Sequence, residues 1–513
     1  MEFIIENKTA GQKLIRILSK TYSIKRDRST QREQSYFDTF DWRLHARDLV
    51  LYRANDVFSL ENNRSGIRLA EQVISPEKPL RFWWDCPSGP LREILSQALD
   101  VRALIHIVDL KLSNQNISIL NKDQKTILRF SLESVTNAHN PDKQFHRIVL
   151  NPVRGYRKEF TEIKKILIDT GQRFEKRDLI ESIQSGSDRI PGDYTSKISV
   201  QLNPDWPLLK STTSIFKYLL NVMRNNEDGI KQDIDTEFLH DFRVSVRRTR
   251  SALTQIKTIF QPEDELYWKK YFSVLGKASN RLRDLDVYLL RKNQLKDKLP
   301  DKLRPELDRF FRSLKSERRK EFKKFIRFLE GKTFHTMKTG WEDFLDTQEN
   351  IKLRPGSPSS ATLPKAKEFI LKKYLQVLRR GDRIEESSPD KDLHQLRIEC
   401  KKLRYLLEFF FSLFPPDEIK SLISRLKKLQ DHLGLFNDLS MQQFQLIEFL
   451  ENKIAPTDKN SLKTAGSIGG LITLLNSEQR EVRGDFSSRF REFSSRKNRD
   501  LFQNMFGPSG VSS

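Results

Sequence analysis

Two stretches of this chain write the same chemistry at the same spacing. "LHDFRVSVRRTR" starts at Leu239 and "LHQLRIECKKLR" at Leu393; in each, a histidine is followed three residues on by an arginine and then by a dense run of cations. At about 100° per residue, a helix gathers His240, Arg243, Arg247 and Arg250 into an arc of roughly 80°. His394, Arg397, Lys401 and Arg404 form the matching arc, and Arg248 and Lys402 complete the two basic runs. The apolar positions Leu239, Phe242, Val246 and Leu253 make a neighbouring stripe centred about 90° away, so the cations border the core. A solvated helix face would lie opposite the core and carry interspersed glutamates, whereas no acidic residue is expected on these two arcs.

Such a stripe is suited to anion recognition. A guanidinium pairs with phosphate oxygens through two parallel hydrogen bonds, and closely stacked cations repel one another until an anion of matching charge density arrives. A linear polyphosphate, with one negative charge per phosphoryl unit, suits two such stripes better than a small acid. His240 and His394 either donate to a phosphate oxygen or pack near the helix start, and the spacing alone leaves both roles open. Asp284 and Asp438, together with Arg283, are expected to form supporting ion pairs that orient the arginines, because a carboxylate would repel the ligand. No catalytic residue and no metal ligand is assigned among these.

The elements that position the stripes are themselves duplicated. An offset of 154 aligns the chain with itself without a gap from Leu239 to Leu285, pairing Phe260 with Phe414, Pro262 with Pro416 and Asp284 with Asp438. From 207 to 505 the periodicity is helical with almost no glycine, and "NIKLRPGSPSSATLPK" (351–366) reads as a linker between a first half (207–350) and a second (367–505). The last residues, 506–513, read as a disordered tail. The repeat predicts two helical copies packed with approximate two-fold symmetry.

Residues 1–198 have another texture. "FIIEN", "DLVLYRA", "GIRLAEQVI", "NQNISIL", "KTILRFSLESV" and "HRIVLNPV" are short runs rich in β-branched and aromatic residues, interrupted by helical candidates at "AGQKLIRILSKTY" and "YRKEFTEIKKILIDTG". The expected class is α+β with two domains, the first an antiparallel sheet and the second all-α.

Composition narrows the function. Lys and Arg number 92 against 69 Asp and Glu, a net charge of +23, of which +16 falls after residue 200; a polyanionic partner follows. Cys86 and Cys400, the only two cysteines, have no metal-ligand spacing. No signal-peptide pattern and no long apolar run occurs, so neither export nor a membrane partner is expected and the cytoplasm is the expected location. Zinc-finger spacing, an RNP-like aromatic sequence and a Walker-type lysine loop are all missing, which argues against nucleic acid and nucleotide-driven chemistry.

"LHDFRVSVRRTRSAL", "NRLRDLDVYLL", "LHQLRIECKKLRYLLEFF" and "LKKLQDHLGLFNDL" resemble the paired signatures of CHAD domains over roughly 300 residues. The resemblance implies two four-helix bundles related by a pseudo-two-fold axis, with a basic pore or groove that binds inorganic polyphosphate. On it, His240, Arg243, Arg247, Arg248 and Arg250, with His394, Arg397, Lys401, Lys402 and Arg404, belong to the binding surface, and polyphosphate granules and their proteins are the implied surroundings.

"QREQSYFDTFDWRLHARDLVLYRA" resembles a CYTH domain, a β-barrel-like triphosphate tunnel, with Tyr36, Asp38, Thr39 and Arg53 as equivalents. That family opens on Glu-x-Glu-x-Lys along a strand that holds the metal; here the register reads Ile4, Glu6, Lys8, and the later acidic strand is replaced by "HRIVLNPVRGY". Glu6, Lys8 and Arg53 would form a residual triphosphate site in a degenerate domain. No cofactor is expected, and Mg²⁺ or Mn²⁺ would be needed only if this domain hydrolysed triphosphate. The leading expectation is therefore a non-enzymatic polyphosphate binder, with a metal-dependent triphosphatase and a nucleic-acid binder as alternatives.

Overall fold

The computed structural model describes residues 2–142, 144–170, 189–257, 259–350, 361–454 and 459–507. It divides into two compact units, Met1–Thr195 and Ser196–Ser513.

In the first unit, β1 (Glu2–Ile5), α1 (Lys8–Leu18), β2 (Ser23–Arg26), β3 (Thr30–Asp38), β4 (Leu49–Ala54), β5 (Val57–Asn62) and β6 (Arg68–Val73) precede α2 (Pro90–Leu99). Then follow β7 (Ile105–Leu120), β8 (Thr126–Asn137), β9 (Gln144–Pro152) and α3 (Arg157–Asp169). Nine strands form one antiparallel sheet in the order β1-β9-β8-β7-β3-β4-β5-β6, with β2 also paired to β7. The 16-residue β7 is the spine, long enough to hold β2 and β3 along one edge and β8 along the other. Period-two alternation sorts β4 cleanly: Leu49 and Leu51 pack towards α2 with Phe58, Leu60, Leu91 and Leu95, while Val50 and Tyr52 face Tyr36, Val108, Leu110 and Val135. Among the described residues no pairing joins β6 to β1, so the ladder is open and not closed into a barrel. The all-antiparallel sheet with flanking helices is consistent with a CYTH-like fold.

The second unit is helical. Its first half contains α4 (Leu208–Lys231), α5 (Thr236–Gln255), α6 (Pro262–Ala278), α7 (Asn280–Leu290), α8 (Lys292–Asp297), α9 (Leu307–Glu330) and α10 (Lys332–Asn350). Its second half contains α11 (Thr362–Gly381), α12 (Asp390–Phe409), α13 (Pro416–Lys453), α14 (Lys459–Phe493) and α15 (Arg496–Phe506). Each half closes a ring of four packed layers. In the first, α4 meets α5, α5 meets α6, α7 meets α9 and α10 returns to α4. In the second, α11, α12, α13 and α14 pack in turn, and α15 returns to α11.

The sequence offset of 154 carries Thr236–Gln255 onto Asp390–Phe409 end to end. Pro262 and Pro416 both stand in the first turn of their helices, where a missing N–H costs nothing. The copies differ in one respect that matters below: the third layer breaks at Ser279 in the first half and runs unbroken for 38 residues in the second.

The apolar stripe expected on α5 is buried throughout, with Leu239, Phe242, Val246 and Leu253 at 4% exposure or less. Each side chain of this kind contributes about 1.5–3 kcal/mol on burial. Most of the expected linker, 351–360, and the tail residues 508–513 lie outside the described residues. Of the rest, Ala361 forms an isolated bridge with Pro207, and Thr362 already begins α11.

Candidate anion-binding site

Helices α5 and α12 pack against each other across the two halves, and Gln255 Nε2 donates to the Lys402 carbonyl at 3.2 Å. This contact brings the stripes into one field. Arg247 lies within electrostatic reach of Arg243 on its own helix and of Arg397 and Lys401 on the other, and Lys401 also meets Arg404.

Burial intensifies the repulsion. Lys401 is pushed down to about 7, first by burial and then by Arg397, Arg247 and Arg404, with Asp438 pulling the other way. Arg243 is pushed down to about 10 by burial and Arg247, against Asp284. Arg397 is lowered by burial above all, with Asp438 opposing and Arg247 adding to the shift. The Nε atoms of Arg247 and Arg397 are buried with no hydrogen-bond partner. Among the described residues, no hydrogen bond or ion pair holds Arg247, Arg397 or Lys401. All three side chains are half-buried, so solvent screens part of their repulsion, and the contact is left with an excess of positive charge.

The remaining cations are placed differently. Arg243 Nη1 donates to Ser279 Oγ at 2.7 Å and to the Gly276 carbonyl at 3.2 Å, which anchors it in the break between α6 and α7. Arg248 donates to the Ser196 carbonyl at 2.6 Å and to Glu408 at 2.7 Å, tying α5 to α12. Lys402 donates to Glu399 at 2.9 Å, and Lys373 takes the other oxygen of that carboxylate at 2.8 Å. Arg248 and Lys402 each follow a cluster residue by one position, a rotation of about 100° that carries them off the stripe. Arg248 and Lys402, which the resemblance put on the binding surface, thus each have a carboxylate of the protein as partner.

Arg404 Nε stands 3.3 Å from Glu408 as a charge contact without hydrogen-bond alignment, and its guanidinium lies over Tyr405. Arg250 is exposed, and Gly276 makes room for it: a Cβ there would come within 3.2 Å of Arg250 Nη1. His394 is exposed, with Nδ1 2.6 Å from Asn437 Oδ1, so a proton at Nε2 would be needed for it to donate to a phosphate. His240 is half-buried and interacts with its surroundings.

The supporting residues also divide. Arg283 donates to the Thr236 carbonyl at 2.9 Å and approaches Glu237 at 3.5 Å, bracing the start of α5. Asp284 lies in the field of Arg243, Arg281 and Arg283. Asp438 faces Arg397 and Lys401 through space, but its hydrogen bond comes from Arg291 at 2.7 Å. The expectation that the arcs carry no acid is corrected by Glu408: it falls one turn beyond Arg404, on the same arc, and extending the wheel by four residues would have found it. Glu399, on the flank, and Arg291, outside the repeat, carried no comparable signal.

In the first unit the residual triphosphate set does not assemble on one strand. Asn7 caps α1, its side chain accepting from Ala10 N at 2.8 Å, so β1 ends at Ile5. Glu6 then lies in the turn and Lys8 opens the helix, both exposed. The strand register that the sequence suggested for Ile4, Glu6 and Lys8 is overridden by this cap. Arg53 pairs with Ser35, on the sheet face opposite Tyr36 and Tyr52.

Asp38 is buried and accepts from the backbone N–H groups of Thr39, Leu44 and His45 at 2.6–2.9 Å. Burial raises it to about 6 against those three donors. Thr39 Oγ1 donates to Asp41 and accepts from Arg43 N, so "DTF" shapes a turn. Among the described residues, no group of three or more His, Cys, Asp or Glu is placed to hold a metal ion.

A doubled four-layer helical unit whose two equivalent helices meet through a cation cluster defines the class. Residues 214–446 match the family model of the CHAD domain, and this chain carries a CHAD domain there. The fold agrees with the crystal structure of the CHAD domain from the plant Ricinus communis, at 20% identity and a TM-score of 0.50, over 58% of this chain and 96% of that one. PptA from Streptomyces chartreusis matches at 17% identity and a TM-score of 0.43, covering 56% of this chain and 98% of its own. A Hippeastrum protein described as having a dominant triphosphatase activity matches at 14% identity and a TM-score of 0.26, over 38% of this chain and 98% of its own. No curated protein matches. Among the described residues, no helix is long and apolar enough to cross a membrane.

Proposed function

We propose that the CHAD domain binds inorganic polyphosphate at the α5–α12 contact, without catalysing a reaction. The observation that carries this reading is the trio Arg247, Arg397 and Lys401, drawn from both copies of the repeat and left without a carboxylate of its own. A linear anion laid along the two helices would meet cations from each in turn, through bidentate guanidinium contacts. Arg243 and Arg404 extend the field on either side, while Arg248 and Lys402 hold the frame. The chemistry is electrostatic complementation, so affinity should fall steeply with salt, as it does when phosphate contacts displace condensed counterions.

The sheet domain enters this reading as a non-hydrolytic module. A triphosphate hydrolase gathers carboxylates around a divalent ion to offset the substrate's charge. Here Glu6 stands in an exposed turn, and Glu133, on β8, is occupied by Arg147 at 2.7 Å.

The test is a titration of the full chain with long-chain polyphosphate at physiological salt, with single-stranded DNA and RNA as competitors and tripolyphosphate hydrolysis followed with Mg²⁺. Tight binding that nucleic acid does not displace, without phosphate release, is the expected result. Displacement by nucleic acid would overturn the ligand, and Mg²⁺-dependent phosphate release that is lost in Glu6→Gln would overturn the non-enzymatic reading.

A further inference from the structure

The two halves part company at a second basic place, remote in sequence from the stripes. Between α13, α14 and the start of α15 lies a cavity of about 290 Å³ lined by Arg425, Lys428, Arg489 and Lys497, with Glu492 the one carboxylate and Leu429 and Phe493 as apolar wall. Lys428 and Arg489 share that carboxylate at 3.3 and 3.8 Å, so one negative charge serves two cations.

Arg425 is steered by Asn498, which is fully buried. Asn498 Nδ2 donates to the Phe493 carbonyl at 2.7 Å, and its Oδ1 meets Arg425 Nη1 at 3.4 Å. Ser495 caps α15 without a side-chain hydrogen bond, so the first N–H groups of this helix add a positive end to the same wall. An adjoining groove of about 470 Å³ shares Arg425 and Lys497 and adds Arg496 and Asp500.

The repeat supplies a comparison. Within the aligned stretch, Arg425 and Lys428 stand where the first half has Tyr271 and Val274, so cations face this opening at places that carry no charge in the first copy. The second half breaks between α14 and α15 at Ser494 and Ser495, as the first breaks at Gly331 between α9 and α10.

We propose that this pocket binds a compact phosphoryl anion of a few phosphoryl units, independently of the α5–α12 cluster. Arg425 and Arg489 supply planar donors to phosphate oxygens, Lys428 and Lys497 supply point charges, and the helix start faces the ligand with N–H groups. The anion is either a free small phosphate compound or the end of a longer chain, and the chemistry of recognition is the same for both.

The experiment is calorimetric titration of the full chain with pyrophosphate at physiological salt, in three proteins: the unaltered chain, a pocket variant (Lys428→Gln, Arg489→Gln, Lys497→Gln) and a cluster variant (Arg247→Ala, Arg397→Ala, Lys401→Ala). The pocket substitutions are at exposed side chains, and unchanged thermal melting checks that the fold is kept. The proposal expects affinity to fall at least tenfold in the pocket variant and to stay within threefold in the cluster variant. Equal affinity in the pocket variant, loss in the cluster variant, or no pyrophosphate binding by the unaltered chain would each overturn it. Competition by long-chain polyphosphate would assign the pocket to chain ends, and lack of competition to a free anion; both uphold the site. A failure of the α5–α12 reading would leave the pocket result intact, because the two variants share no residue.

Discussion

Arg243 and Arg397 occupy the same place in the two copies of the repeat, yet only one has hydrogen-bonded protein partners. Arg243 is anchored by Ser279 and the Gly276 carbonyl, because the helix beneath it is interrupted there. Below Arg397 the helix continues: Gln430 and Leu433 stand where Gly276 and Ser279 stand in the first half, and Gln430 donates instead to the Cys400 carbonyl at 2.6 Å. The second copy thus keeps its arginine head without a protein partner. The next matched pair differs in charge behaviour, since Arg247 faces a Lys401 whose proton is held loosely. The two stripes match in sequence, yet the first copy anchors its arginine on the protein and the second does not.

The largest expected effect comes from removing the unpartnered trio. Arg247→Ala with Arg397→Ala and Lys401→Ala should weaken long-chain polyphosphate binding on the order of 100-fold, and lower the slope of log affinity against log salt by about 2, at roughly 0.7 per lost contact. Titrations at several salt concentrations measure both. A slope that does not change would mean that the ligand touches other cations.

Next in size is the tie between the copies. Glu408→Ala leaves Arg248 buried without its carboxylate and should cost about 2 kcal/mol, somewhat less than a fully buried pair because Glu408 is partly exposed. Urea unfolding reads this directly. Glu399→Ala should also destabilise, through Lys373 and Lys402, so the comparison of the two shows whether the contact between halves or the contact within the second half matters more.

The pH dependence follows from Lys401, whose folded value near 7 lies below its ordinary 10.5. Between those values the unfolded chain binds more protons, so stability should rise with pH through this window. Anion binding has the opposite sign, since the ligand favours the charged amine: affinity should be highest below about pH 7 and fall by up to roughly tenfold towards pH 9. Lys401→Arg should flatten the binding profile. A profile unchanged by that substitution would place the titrating group elsewhere.

The smallest effects separate Arg243 from Arg397. Arg243→Lys forfeits the donors that hold the helix break and should cost about 1 kcal/mol of stability. Arg397→Lys should leave the melting temperature nearly unchanged while weakening polyphosphate binding severalfold, because a bidentate contact becomes a point charge. Equal behaviour of the two lysine variants would erase the distinction between frame and site.

Much of this was legible in the residues. The 154-residue offset announced the doubled helical unit, the apolar stripe on α5 is the buried one, and the alternating runs before residue 198 became the antiparallel sheet. The candidate site was legible only in part. The wheel placed Arg247, Arg397 and Lys401 together on arcs beside the core, but Glu408 and Glu399 pair with cations that a count of basic residues treats as equal. The strand expected through Glu6 and Lys8 failed for a local reason, since the Asn7 cap starts the helix at Lys8, two residues before the helical pattern at Ala10.

The sequence by itself determined the period of each segment, the excess of cations and the repeat, because hydrophobic spacing and charge are properties of neighbours along the chain. Only the tertiary structure decided which cations are bound to protein and which are left unpaired. That depends on what lies across the contact: a broken helix beneath Arg243, an unbroken one beneath Arg397, a carboxylate opposite Arg248 and other cations around Lys401. Pairing and burial are set by groups far apart in sequence, and in a low-dielectric contact they decide whether a cation is a strut or a binding group.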